Sequence, residues 1–285
     1  MRYVGGKGGA GVYQTIINLM PHHDVYIEAF VGGGNVFERK RRASLNIVVD
    51  RDPVVCEHWE RSGAADIVVN GDAIAWLAAY PWTGGELVYC DPPYVHSTRA
   101  RGDYYRFEMS DDEHRELVSL LLTVPAAVML SGYANPIYDE LLGSWRRVDF
   151  SAMTQGGLRT ESLWLNFEPP AVPFDLSYVG RDFRERERIK RKRERWRARL
   201  EKMEPAERAV IMQALQDLAV SSDMAVQACK PVPQPAPASV AQPQEMRVVV
   251  DASRPPQMAQ EPRKRTVIGS GRPRRVDELE AFPEG

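Results

Sequence analysis

Over its first 170 residues the chain alternates short runs rich in β-branched and aromatic residues with amphipathic stretches of helical period, and few folds accept that alternation. Parallel neighbours in a sheet cannot be joined by a tight turn, so strand, helix and strand in repetition call for a mostly parallel sheet with crossover helices. The pattern predicts strands at Val25–Phe30, Leu45–Val49, Ala65–Val69, Glu86–Cys90, Ala126–Ser131, Arg146–Phe150 and Ser162–Phe167. Helices are expected after Asn35, Asp52, Asp72, Asp111 and Asn135, where short polar side chains can satisfy the open amides of a first helical turn. The expectation is one α/β domain of about seven strands.

Glu168-Pro169-Pro170 stops the pattern, because proline supplies neither ladder nor helix donors. The predicted division is a catalytic domain over 1–170, a linker over 171–180, a basic helical extension over 181–220 and a Pro-rich, disordered tail over 221–285. Net charge is -2, yet residues 1–170 carry 15 basic and 22 acidic side chains and the remainder 22 and 17. The basic excess therefore lies beyond the α/β domain, and it peaks between Arg181 and Lys202 with 12 basic and 5 acidic residues. Ile189, Trp196, Leu200 and Met203 form one apolar stripe there, and Val210, Ile211, Ala214, Leu215 and Leu218 form a second after Pro205, as a helical hairpin would require. Such a helix suits DNA phosphates or a protein partner. The three cysteines show neither disulfide nor zinc spacing, no apolar run reaches bilayer length, and the first residues lack a signal-peptide core. A cytoplasmic protein without membrane or metal partners is expected.

Two segments carry chemistry. Strand Val25–Phe30 runs into Val31-Gly32-Gly33-Gly34-Asn35, and Asp50 ends the next strand 18 residues beyond Gly32. A glycine turn at a strand's carboxyl end lets a ligand approach the backbone, and an acid on the neighbouring strand can bond ribose hydroxyls. The same residues also fit a plain βα turn with a helix-capping Asp. Asp91-Pro92-Pro93-Tyr94 follows the apolar strand Glu86–Cys90 and so falls on the same sheet edge. An amine on an aromatic ring is a poor nucleophile because its lone pair is delocalised. Hydrogen bonds from that amine to the Asp91 carboxylate and the Pro92 carbonyl would localise the pair and aim it, while Tyr94 would stack on a flipped base.

With these motifs in hand, residues 1–168 resemble the Dam-like family of DNA adenine-N6 methyltransferases, in the compact form found in phages and their bacterial hosts. Tyr3-Val4-Gly5-Gly6-Lys7 resembles the family's N-terminal motif, Glu28 to Gly34 its cofactor turn, Asp50 its ribose acid, Asn70-Gly71-Asp72 the segment beside the cofactor adenine, and Asp91 to Tyr94 its catalytic motif. The resemblance implies a Rossmann-like S-adenosylmethionine-dependent methyltransferase fold in the cytoplasm of a bacterial or phage-infected cell. It implies S-adenosylmethionine held by Tyr3, Lys7, Phe30, Gly32, Gly34, Asp50 and Asp72, catalysis by Asp91, Pro92 and Tyr94, and a double-stranded DNA substrate. Direct displacement needs neither a metal nor a covalent intermediate. Ser131-Gly132-Tyr133 and Glu161-Ser162-Leu163-Trp164-Leu165-Asn166 look familial too, as fold and pocket-wall elements.

Two features depart from the family. Ala29 stands where proline is usual, and only 40 residues separate Asp50 from Asp91, which leaves no room for the usual target-recognition insert. The best substitute is the segment Val95–Met109, whose Arg99, Arg101, Tyr104, Tyr105 and Arg106 suit phosphate contact and stacking, though an ordinary solvated loop would read the same way. Cytosine-N4 methylation poses the same electronic problem, and a non-catalytic DNA-binding protein on this fold is the alternative from another class.

Overall fold

The computed structural model describes residues 6–98, 106–154 and 157–226. A seven-stranded sheet in the order β3-β2-β1-β4-β5-β7-β6 forms the centre. Its strands are β1 (Val25–Ala29), β2 (Leu45–Asp50), β3 (Ile67–Asn70), β4 (Glu86–Cys90), β5 (Ala127–Gly132), β6 (Arg146–Thr154) and β7 (Gly157–Leu165). The first five run parallel, and β7 enters antiparallel between β5 and β6. This is the mostly parallel α/β sheet of about seven strands expected from the sequence.

Strand parity divides the core. Ile27, Val88, Cys90, Val128 and Leu130 face one side, against α3 (Ala73–Ala79), α4 (Asp111–Leu121) and α5 (Pro136–Leu141). Tyr26, Leu87, Tyr89, Met129 and Leu163 face the other, against α1 (Val12–Asn18) and α2 (Pro53–Ser62). Burial on both faces explains the near-continuous apolar runs of the parallel strands. The helices begin where short polar residues cap them: Asp52, Asp72, Ser110 and Asn135 each accept a backbone amide of the first turn. In α2 the frame is complete, with Pro53 at the first turn, Gly63 in left-handed conformation at the end, and Trp59 fully buried.

Four expectations are corrected. After Asn35 the chain forms consecutive turns rather than a helix: the Glu38 and Lys40 amides reach back four residues, but the Arg39 amide turns to Val36 and its guanidinium donates to the Asn35 carbonyl (3.0 Å). Helix α1 was not anticipated; its seven residues are too few to show a helical period, and it forms by burying Val12, Ile16 and Ile17. The last two strands pair over nine residues each, longer than their apolar runs, because the β6–β7 ribbon continues past the point where β5 ends. Residues 171–180, expected as a linker, lie strapped to the α/β unit: Phe174 donates to the Met20 carbonyl, Asp175 accepts the Arg41 amide, and Tyr178 packs edge-on against Tyr13.

The extension forms α6 (Phe183–Glu201) and α7 (Pro205–Val226), so helix runs six residues past the expected start of the tail; the rest of the tail lies outside the described residues. No residue of α6 is buried, and Trp196 on α6 and Val210 and Leu215 on α7 stay at least half exposed, so the expected hairpin does not bury its stripes. Among the described residues no helix is long and apolar enough to cross a membrane.

Candidate active site

The sheet order reverses between β1 and β4. Loops leaving their carboxyl ends diverge, and the crevice between them is where open α/β sheets bind ligands. One wall is the glycine turn. Phe30, Gly32 and Gly34 all have positive φ (60, 46 and 54°). Phe30 pays about 1–2 kcal/mol for a left-handed conformation, strain that surrounding contacts must hold. They do: the Gly32 amide donates to Asp50 Oδ2 (2.8 Å), Trp59 Nε1 donates to the Gly32 carbonyl (3.1 Å), and Gly34 leaves space that the Trp59 ring fills.

Asp50 thus sits in the crevice and braces the turn. Its other oxygen accepts the Asp52 amide (2.9 Å), and burial raises its pKa against these donors. Asp72 lines the same crevice with its carboxylate already engaged, capping α3 through the Ala75 amide and pairing with Arg51, which also reaches Glu113. Burial opposes the charge on Asp72, yet the Ala75 amide and Arg51 hold its pKa below the usual value.

The opposite wall carries the sharper chemistry. Asp91 follows β4 and donates its amide to the Ala29 carbonyl, which ties it to the end of β1. Its Oδ1 receives Lys7 Nζ at 2.6 Å and Ser131 Oγ at 2.7 Å. Lys7 also meets Glu161 Oε1 at 2.8 Å and donates to the Tyr94 hydroxyl at 3.1 Å. Lys7 and Glu161 are only 4% and 3% exposed, whereas Asp91 keeps 20% of its side chain open to the crevice. Burial alone would discharge Lys7, but Asp91 and Glu161 together raise its pKa well above the ordinary lysine value. Burial likewise raises Glu161, against the pull of Lys7. The cluster of one cation and two carboxylates has a net formal charge of -1, suited to a group that carries or develops positive charge.

The Tyr94 ring does not face an empty slot. It stacks on Tyr133 with centroids 4.3 Å apart, and the Arg159 guanidinium lies 5.4 Å from the Tyr133 ring. Pro92 is buried beneath the turn. Glu28, on β1 beside this wall, accepts from the Tyr26 hydroxyl (2.7 Å), and burial pushes its pKa up to about 8.

Lys7, Phe30, Gly32, Gly34, Asp50, Asp72 and Asp91 therefore line one crevice; Tyr94 is joined to it through Lys7, whereas Pro92 is buried and the proline on the crevice wall is Pro93. Tyr3, Arg99, Arg101, Tyr104 and Tyr105 lie outside the described residues. Arg106 pairs with Asp52 (3.1 Å), so its guanidinium is engaged on the α2 side while the side chain stays 60% exposed. The sequence reading missed the Trp59 brace and the Arg51 bridge, both made by residues distant in the chain. It took Glu161 for a wall element, although a signal was present: strand parity puts Glu161 on the same face as the buried Leu163 and Leu165.

Residues 65–160 match a family model described as D12 class N6 adenine-specific DNA methyltransferase. No curated protein matches the chain. Similar solved structures include precorrin 8W decarboxylase of Methanobacterium thermoautotrophicum (13% identity, 53% of this chain and 85% of that one, TM-score 0.34). The 23S rRNA methyltransferase ErmE (14%, 57% and 68%, 0.35) and a TehB-like SAM-dependent methyltransferase from Corynebacterium glutamicum (13%, 54% and 86%, 0.35) are others.

Proposed function

We propose that the chain, whose residues 65–160 match the D12 class N6 adenine-specific DNA methyltransferase family model, methylates adenine N6 in DNA by direct in-line displacement after base flipping. The observation that carries the reading is the Lys7–Asp91–Glu161 cluster facing the glycine turn and Asp50 across the crevice at the reversal of strand order.

The crevice fits S-adenosylmethionine. The left-handed turn at Phe30–Gly34 leaves backbone open to close approach, Asp50 offers a carboxylate to the ribose hydroxyls, Phe30 and Ile74 give apolar walls for a flat ring, and the net negative cluster suits a cationic centre. When bound, the cofactor supplies an electrophilic methyl group. Asp91 and the Pro92 carbonyl hold the adenine amine, draw its lone pair out of conjugation and orient it; Ser131 and Lys7 fix the Asp91 rotamer from behind. Tyr94 provides the stacking face for the extruded base once Tyr133 yields its place. The negative charge of the cluster favours the positive charge that grows on N6 as the new bond forms.

For DNA, Arg99, Arg101, Tyr104, Tyr105 and Arg106 remain the proposed contacts near the site, and α6 is a proposed phosphate-binding face. Arg184, Arg188, Arg191 and Arg195 recur at helical spacing along one side of it, next to Phe183. The exposed Trp196, Val210 and Leu215 support a protein partner for the same extension.

The decisive experiment is labelled methyl transfer from S-adenosylmethionine to unmethylated DNA, with the product nucleosides identified by mass spectrometry. N6-methyladenine from the wild-type chain, none from Asp91→Ala, and cofactor binding retained in that variant are expected. Full activity in Asp91→Ala would overturn the assignment, N4-methylcytosine would move it to the other base, and no incorporation by folded wild-type protein would leave a DNA-binding role only.

A further inference from the structure

The β6–β7 ribbon overhangs the site edge of the sheet. Ser162 of β7 pairs with Gly132, the last residue of β5, so Gly157–Glu161 and their partners Phe150–Thr154 continue beyond the carboxyl ends of the parallel strands. Asp91 and the glycine turn lie on that same edge. The two faces of the ribbon differ sharply. One carries Ala152, Arg159 and Glu161: Ala152 is buried, Glu161 is in the Lys7 cluster, and Arg159 lies on Tyr133. The other carries Met153 and Leu158, direct cross-strand partners near the ribbon's end and each 68% exposed. From Leu158 to Glu161 is three strand residues, about 10 Å. The ribbon's end leans on the amino-terminal segment beside Lys7, with the Met153 carbonyl 3.7 Å from where a Cβ on Gly9 would stand.

We propose that Met153 and Leu158 form the wedge that enters the duplex where the target base leaves it. This rests on the methyl-transfer reading above. Extrusion leaves a gap in the base stack that must be filled or collapse, and proteins that open duplexes insert apolar side chains such as methionine and leucine between base steps. The ribbon is built for that division of labour: its inner face closes over the pocket that receives the base, and its outer face, one strand thickness away, presents an apolar edge to the gap. The pairing of the two residues matters. A single exposed apolar residue is ordinary on a protein surface, but two locked side by side on a twisted ribbon present one blade about as wide as a base. Arg159, on the inner face with its cation 5.4 Å from the Tyr133 ring, offers a positive charge beside the pocket for a phosphate of the extruded nucleotide. The chain has no room for a recognition insert between Asp50 and Asp91, and this overhang supplies a contact on the duplex that the insert would otherwise provide.

The test compares wild type with Met153→Ala/Leu158→Ala on two duplexes bearing the sequence the wild type methylates, one with the target adenine paired to thymine and one with it opposite an abasic site. Both side chains are exposed, so thermal unfolding and cofactor binding should be unchanged. The expected result is a loss in kcat/KM on the order of tenfold to a hundredfold on the paired target, nearly abolished on the unpaired one, because an unpaired base needs no help to leave the stack. Leu158→Phe should retain activity on the paired duplex, and 2-aminopurine at the target position should brighten with wild type and far less with the double variant. Equal loss on both duplexes, or no loss on the paired one, overturns the wedge. If the wild type transfers no methyl group to any unmethylated DNA, so that no such sequence exists, the methyl-transfer reading is overturned, and the wedge with it.

Discussion

Gly34→Ala should cost far more than its chemistry suggests, and Gly63→Ala shows why. Both glycines have left-handed backbone, φ 54° and 60°, so adding a methyl group imposes nearly the same conformational penalty. That penalty is about 1–2 kcal/mol, partly offset by the lower entropy of the unfolded alanine chain, which leaves roughly 1 kcal/mol. They differ in what the new Cβ meets. At Gly63 nothing lies within 4 Å, whereas at Gly34 it collides with the Trp59 ring. Trp59 is buried and cannot retreat without overpacking its neighbours, at about 1–3 kcal/mol, and without loosening its hydrogen bond to the Gly32 carbonyl, worth about 1 kcal/mol. The expected totals are about 1 kcal/mol for Gly63→Ala and about 3–5 kcal/mol for Gly34→Ala. For a folded unit of this size that is a fall in melting temperature of roughly 3 °C against roughly 10 °C or more. Denaturant unfolding of the two variants measures the difference, and titration with S-adenosylmethionine should show weakened binding only for Gly34→Ala, because displacing Trp59 disturbs the Gly32 contact with Asp50. Equal destabilisation of the two variants would refute the packing argument.

Burial pushes the Glu28 pKa from 4.5 to about 8, so the folded chain holds a proton there that the unfolded chain releases. Wild-type stability therefore falls as pH rises from about 5 to about 8, by up to roughly 1.4 kcal/mol per unit, and Glu28→Gln should remove that slope. Melting curves of the two proteins should diverge over this window and run parallel above it; parallel curves throughout would contradict the buried, protonated Glu28. Replacing Arg184, Arg188, Arg191 and Arg195 of α6 by Gln should lower the salt dependence of DNA binding by about 0.9 in log–log slope for each phosphate that α6 no longer neutralises. An unchanged slope would assign α6 to the protein-partner role instead.

Much of the site was legible because strand-end chemistry is local. Asp91 to Tyr94 after Glu86–Cys90, and the glycines after Val25–Ala29, needed only the inference that parallel strands end on a common edge. Helix starts were legible for the same reason: an Asp, Ser or Asn cap is read from one residue and the amide just beyond it. What depends on two distant segments meeting was not. Lys7 and Glu161 stand at opposite ends of the α/β unit's sequence, yet they meet at 2.8 Å in the cluster around Asp91. Nothing local to Trp59 marks it as a brace, and the close approach of its ring to Gly34 emerges only when α2 packs against the turn. The helix expected after Asn35 gave way to turns at Arg39, whose amide bonds Val36 three residues back while its guanidinium reaches the Asn35 carbonyl.

The sequence by itself determined the layered α/β architecture and the shared edge of the glycine turn, Asp50 and Asp91, since periodicity and residue type act over a few neighbouring positions. Tertiary structure alone decided that Asp91 shares Lys7 with Glu161, that Tyr94 is covered by Tyr133, and that the last two strands overhang the site. Those contacts arise from the register of antiparallel β7 against β5 and β6, and register is set by the packing of whole faces, which no local stretch of residues encodes.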